Sequence, residues 1–342
     1  MQPLPTLASL DDVRVLIERL PGPDREAAAR TEDREAQLTK PPGSLGRLEE
    51  LAAWMAAWQG AYPPRADAVA TYVFAGNHGV VERGVSAYPA EVTAQMVANF
   101  AAGGAAINQI STAVGARLEV VALELERPTA DLVAGPAMSE DDCLRALAKG
   151  MTAAQAGADL LCLGEMGIGN TTAAAALACG LFGGSATGWV GPGAGLDDDG
   201  LRRKTAVVKA AMAAHRGRLD DPLEALRLLG GRELAAITGA VLGARLNRIP
   251  VILDGYVVTA AAAVLEVARA GALDHCRLGH LSAEPGHPRL AERLGLRPLL
   301  DLHMRLGEGT GATLAAAIVK AAVFTHRRMA TFAEAGVSGR DG

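Results

Sequence analysis

"LLCLGEMGIGNTTAAAALA", residues 160–178, joins a short apolar run, a loop with glycines at 164, 167 and 169, and an alanine-rich segment. The run has no polar alternation, as expected of a strand buried on both faces, and the alanine-rich segment has helical composition. The unit reads as strand, loop and helix, with Asn170 or Thr171 opening and capping the helix. The loop N–H groups suit a phosphate. No Gly-Lys-Ser/Thr follows, which excludes a Walker A loop, and the third glycine of the dinucleotide fingerprint is missing. As a bare pattern the loop serves either a phosphate or substrate contact or an ordinary βα turn. Glu165 stands among its glycines as an acid.

Similar runs lie on either side: "AVATYVFAG" (68–76), "RLEVVAL" (117–123), "TGWVG" (187–191) and "PVILDG" (250–255). Helical patterns separate most of them, including "SEDDCLRALAKGMTAAQAG" and "GGRELAAITGAVLGARLN". Apolar strands alternating with helices imply a parallel sheet covered on both faces, an α/β fold of Rossmann-like type. The first 60 residues and those after Leu299 read as helical, to about Ala335, with "GVSGRDG" as a mobile tail. The expected division is a large α/β domain, 61–299, and a small helical domain from 1–60 and 300–342. Ligands of open parallel sheets bind beyond the carboxyl ends of the strands, where the glycine-rich segments fall.

The 342 residues allow one large domain or two modest ones. Only 4% are aromatic, so Ala, Leu and Val must build the core. A net charge of -5 supplies no basic field for nucleic acid. Cys143, Cys162, Cys179 and Cys276 form no CxxC pair or disulfide framework, which suits a reducing cytoplasm. No signal peptide is apparent, and no apolar stretch is long enough for a bilayer.

In "VGPGAGLDDDGLRRKTAVVKAAM" (190–212), Gly191, Gly193 and Gly195 make a loop and Asp197 to Asp199 supply a helix cap. Lys204, two turns in, reads by itself as a surface cation paired to those aspartates, and the aspartates lack the spacing of a calcium site. Beyond the 68–76 run, "NHGV" is followed by Ser86, Tyr88 and Pro89, one wall of a cleft before a helix with Met96. His78 alone reads as a hydrogen-bonded structural residue. The seven histidines show no zinc-ligand spacing. Asp254 either orients a ligand or caps the next helix. "RLGEGTGA" seats Glu308 between two glycines before another helix, either as a first-turn acid favoured by the helix dipole or as an acid facing a substrate.

Taken together, "KPPGSLGRLE", "NHGV", "GVSAYP", "GEMGIGNTT", "LDG", "HLSAEPGH" and "RLGEGTGA" occur in the order found in the nicotinate-nucleotide–dimethylbenzimidazole phosphoribosyltransferase family, which this chain resembles from about Leu38 to Ala322. The resemblance implies transfer of the phosphoribosyl group of nicotinate mononucleotide to 5,6-dimethylbenzimidazole, giving α-ribazole 5′-phosphate and nicotinate for the lower ligand of cobalamin. It implies a Rossmann-like domain with a small helical one, a homodimer, and no cofactor or metal. Glu308 matches the family's catalytic base. Glu165 and Lys204 match active-site polar groups. Ser282 and the Gly309, Thr310, Gly311 turn match positions near the substrate phosphate, and Asn170, Thr171, Gly191 and Gly193 belong to the substrate loops. Tyr88 replaces a serine, and Met96 a glutamine, found in some members, which bears on the acceptor base. The same chemistry on another benzimidazole, a purine or a phenolic acceptor is the alternative, and a non-catalytic nucleotide-binding regulator is the other.

Overall fold

A computed structural model describes residues 6–155 and 157–338; the end of the expected tail, 339–342, lies outside them. Among the described residues, six strands form one wholly parallel sheet in the order β2-β1-β3-β4-β5-β6. They are β1 (Val69–Ala75), β2 (Ala116–Ala122), β3 (Leu160–Met166), β4 (Val251–Leu253), β5 (Cys276–His280) and β6 (Pro298–Leu300). Four of the expected runs are strands. "TGWVG" is not one: Ala186–Gly188 is a short 3-10 turn. Trp189 is a buried wedge there, its indole N–H donating to Gly183 O at 2.9 Å under the Arg289 guanidinium. An apolar run with no neighbouring strand to pair with packs through its one large side chain instead.

The sequence pattern does not mark β5 and β6. β5 carries Arg277 and His280 among its apolar residues, which hides the buried pattern. β6 begins with Pro298 at the sheet edge, where a missing N–H costs no ladder bond. After Leu300, where helix was expected from Leu299 on, the chain is loop until the Thr310–Arg328 helix begins.

Both faces of the sheet are covered. Ala70, Tyr72 and Phe74 of β1 and Leu161 and Leu163 of β3 enter a core shared with the Asn170–Phe182, Arg232–Leu246 and Tyr256–Ala268 helices. Val69, Leu160, Cys162 and Ile252 point the other way, into a core with the Arg47–Gln59 and Thr310–Arg328 helices. The Arg47–Gln59 and Thr310–Arg328 helices thus meet one another on the sheet itself, whereas the Leu10–Glu18 helix packs into the first core. Side chains alternate as in any strand, but both destinations are apolar, so the sequence shows no alternation. β1 is flanked by β2 on one side and β3 on the other, and a crevice opens above the carboxyl ends of β3, β4 and β5. Among the described residues, no helix is long and apolar enough to cross a membrane.

Candidate active site

A cavity of about 640 Å³ lies over the ends of β3, β4 and β5. Ser86, Tyr88 and Met96 form one wall, Glu165, Asn170 and Thr171 the floor, and Gly193, Ser282 and Glu308 the opposite side. Tyr88 and Leu306 stand exposed at its mouth. Nine residues expected from separate segments therefore meet in one place. Lys204, Gly191, Gly309, Thr310 and Gly311 lie behind that surface rather than on it.

The floor departs from the expected capping. Gly169, in the left-handed region at φ 91°, is the N-cap of the Asn170–Phe182 helix, and no side chain caps it. Asn170 donates instead to Glu165 Oε2, and Thr171 Oγ1 accepts from Lys204 Nζ at 2.8 Å. Both side chains are spent on ionisable neighbours, and the glycine turn leaves the helix N-terminus without a side-chain cap.

Lys204 is not a solvated cation. It is fully buried, donates also to Gly191 O at 2.9 Å, and pairs with none of the aspartates. Burial pulls its pKa down to about 8, partly offset by the Glu284 charge. Asp197 does cap its helix, accepting the Gly200 N–H at 2.8 Å, while Asp199 pairs with Arg202. The Gly191–Gly193 backbone is clamped from three sides: by Lys204, by Glu284 accepting the Gly193 N–H at 2.9 Å, and by Arg305 donating to Gly193 O at 2.7 Å. Glu284, Arg305 and the cavity-lining His280 were not singled out from sequence. Glu284 and Arg305 sit in the "HLSAEPGH" and "RLGEGTGA" motifs, so a charged residue inside a recognised motif was the available signal.

Glu308 occupies a backbone position that disfavours it. Its φ is 64°, between Gly307 at 83° and Gly309 at 77°. A run of left-handed residues with a non-glycine at its centre holds only where surrounding contacts enforce it. Here the Glu308 N–H donates to Glu165 O at 3.0 Å and Thr310 Oγ1 to Gly307 O at 2.8 Å. Asp254 does not cap the next helix: its carboxylate accepts from Gly309 N at 3.2 Å and Ala312 N at 2.8 Å, holding the start of the Thr310–Arg328 helix. Gly164 of β3 has no Cβ because the Gly309 backbone lies against it. Gly311 packs under the His280 ring.

Glu308 precedes the N-cap Gly309, so it is not a first-turn acid. It is buried, one carboxylate oxygen has no hydrogen-bond partner, and burial raises its pKa. The Glu165 carboxyl is pushed up to about 8, chiefly by burial and against the Asn170 hydrogen bond, with the charges of Glu233, Asp254 and Glu308 adding to the rise. Two acids of reduced acidity thus share one cavity.

A phosphoribosyltransferase family model matches residues 20–337. Nicotinate-nucleotide–dimethylbenzimidazole phosphoribosyltransferase of Sinorhizobium medicae is 59% identical over 96% of this chain and 97% of its own. The same enzyme of Rhizobium etli gives the same figures. A crystal structure of CobT from Thermus thermophilus, 47% identical, superposes with a TM-score of 0.86 over 92% of this chain and 99% of its own. The chain belongs to the nicotinate-nucleotide–dimethylbenzimidazole phosphoribosyltransferase family.

Proposed function

We propose that this enzyme moves the phosphoribosyl group of nicotinate mononucleotide onto 5,6-dimethylbenzimidazole, forming α-ribazole 5′-phosphate for the lower ligand of cobalamin and releasing nicotinate. The observation that carries the mechanism is Glu308, a buried carboxylate held at positive φ beside the cavity with an oxygen left unpaired. A benzimidazole has one bare ring nitrogen and one N–H. The bare nitrogen attacks the anomeric carbon as the bond to the pyridinium nitrogen breaks, and that electron pair leaves with nicotinate. The anomeric carbon passes through an oxocarbenium-like state, as in other glycosyl transfers. The attacking ring becomes cationic and its N–H acidic. Glu308 takes that proton, and burial, which makes it a stronger base, favours the transfer.

The apolar wall with Tyr88, Met96 and Ser86 receives the base. Thr171, Gly193 and Ser282, backed by Lys204 and the Gly309 to Gly311 turn, receive the ribose phosphate. We assign a homodimer acting in the cytoplasm; the four buried, unpaired cysteines suit a reducing compartment. Incubating the pure protein with nicotinate mononucleotide and a panel of benzimidazoles, purines and phenols tests the reading. Nicotinate release and α-ribazole 5′-phosphate with dimethylbenzimidazole are expected. Release only with another acceptor would reassign the base, and no release with any acceptor would remove the activity.

A further inference from the structure

His78 follows β1 and contributes nothing to the cavity wall, yet it is buried against Glu233, the fully buried acid in the first turn of the Arg232–Leu246 helix. His78 Nε2 and Glu233 Oε1 are in direct contact. A buried carboxylate is costly unless paired, so this pair requires an explanation. Three glycines make its space. A side chain at Gly76 would overlap Glu233 Oε2, and one at Gly231 would overlap the His78 ring. At Gly167 a Cβ would meet Gly76 O at 2.6 Å and Glu233 Oε1 at 3.1 Å. None of the three has a left-handed backbone, so it is the space and not the conformation that demands glycine.

The same pair lies under the cavity floor. Gly167, Ile168 and Gly169 line the cavity, and the point above the Gly167 α-carbon that Glu233 flanks is flanked also by Asn170 Nδ2, at 3.2 Å. That amide holds Glu165. Beneath Gly169, the nearest groups are Val81 and the His78 Cβ. The loop is thus backed by Glu233, His78 and Val81, with the Asn170 amide beside Glu233 over Gly167.

We propose that His78 and Glu233 are positioning residues for this site: they form the rigid underside of the Gly167–Asn170 loop and, through Asn170, set where the Glu165 carboxyl is held. The proposal rests on Glu165 being part of the working site. The charge of Glu233 adds to the rise in the Glu165 pKa, a smaller influence than burial.

A double-mutant cycle on the full chain tests it, with steady-state kinetics on nicotinate mononucleotide and dimethylbenzimidazole. Glu233→Gln keeps the shape but loses the charge, and kcat should fall about tenfold. Added to Glu165→Gln it should lower kcat by less than about twofold, because the group it positions is already altered. A full tenfold further loss in the double variant would mean that Glu233 acts elsewhere and overturns the proposal. Glu165→Gln with wild-type turnover would defeat the assignment of Glu165 and the proposal with it. An impaired Glu165→Gln beside an unimpaired Glu233→Gln would defeat the proposal alone. If Glu233→Gln does not fold, Gly231→Ala, whose methyl displaces the His78 ring, takes its place in the same cycle.

Discussion

At the scale of single residues, Glu308 and Glu165 carry the strongest expectations. Glu308→Gln keeps size and a hydrogen bond to a ring nitrogen but cannot accept a proton. It should fold, bind dimethylbenzimidazole nearly as well, and lose about 10²–10⁴-fold in turnover. More than about a tenth of wild-type turnover at saturating substrates would place the base elsewhere. Lys204→Ala should weaken nicotinate mononucleotide more than dimethylbenzimidazole, because the ammonium organises Thr171 and Gly191 on the phosphate side. Losing a charge-assisted contact costs about 1.5–3 kcal/mol, and titration calorimetry with each substrate reads the difference. Glu165 also sets a pH dependence. Its pKa is about 8 folded against 4.5 for the free group, so the folded chain binds more protons between those values. Its contribution to stability therefore falls as pH rises from about 4.5 to about 8 and is constant above. Lys204, at about 8 against 10.5, has the opposite sign in the next window, contributing more as pH rises from about 8 to 10.5. Tm should drop more between pH 5 and pH 8 in the wild type than in Glu165→Gln; equal drops would contradict the buried-acid assignment.

At the scale of elements, the site depends on how closely β3 approaches the turn before the Thr310–Arg328 helix. Gly164 abuts Gly309, and the Glu308 N–H reaches the β3 carbonyl of Glu165. Gly164→Ala puts a methyl into backbone that cannot retract without lifting Glu308 from its place. Overpacking of this kind costs about 1–3 kcal/mol, visible as a lower Tm, and turnover should fall along with it. Wild-type turnover in a destabilised Gly164→Ala would show that the turn tolerates displacement. The sequence made the loops legible because glycine, Asn and Asp mark strand ends by their local chemistry. It did not make the clamp on Gly191–Gly193 legible, since Glu284 and Arg305 lie 91 and 112 residues from Gly193.

At the scale of the whole molecule, the proposed homodimer predicts a light-scattering mass of twice the 35.1 kDa chain at micromolar concentration. A mass of one chain under those conditions would exclude it.

The sequence by itself determined the parallel α/β class and the order of the loops, because a strand covered on both faces must be apolar throughout and a ligand loop must be rich in glycine. Its motifs also named Glu308, Glu165 and Lys204. Tertiary structure alone decided what those residues are. Lys204 reads as a surface cation until the Gly191 carbonyl and Thr171 hydroxyl close over it, and Asp254 stands open between orienting a ligand and capping the next helix until the chain returns 55 residues later to Gly309. His78 and Glu233, 155 residues apart, carry no sign of one another in sequence. Burial and pairing are properties of what surrounds a group, and only the closed fold brings those surroundings together.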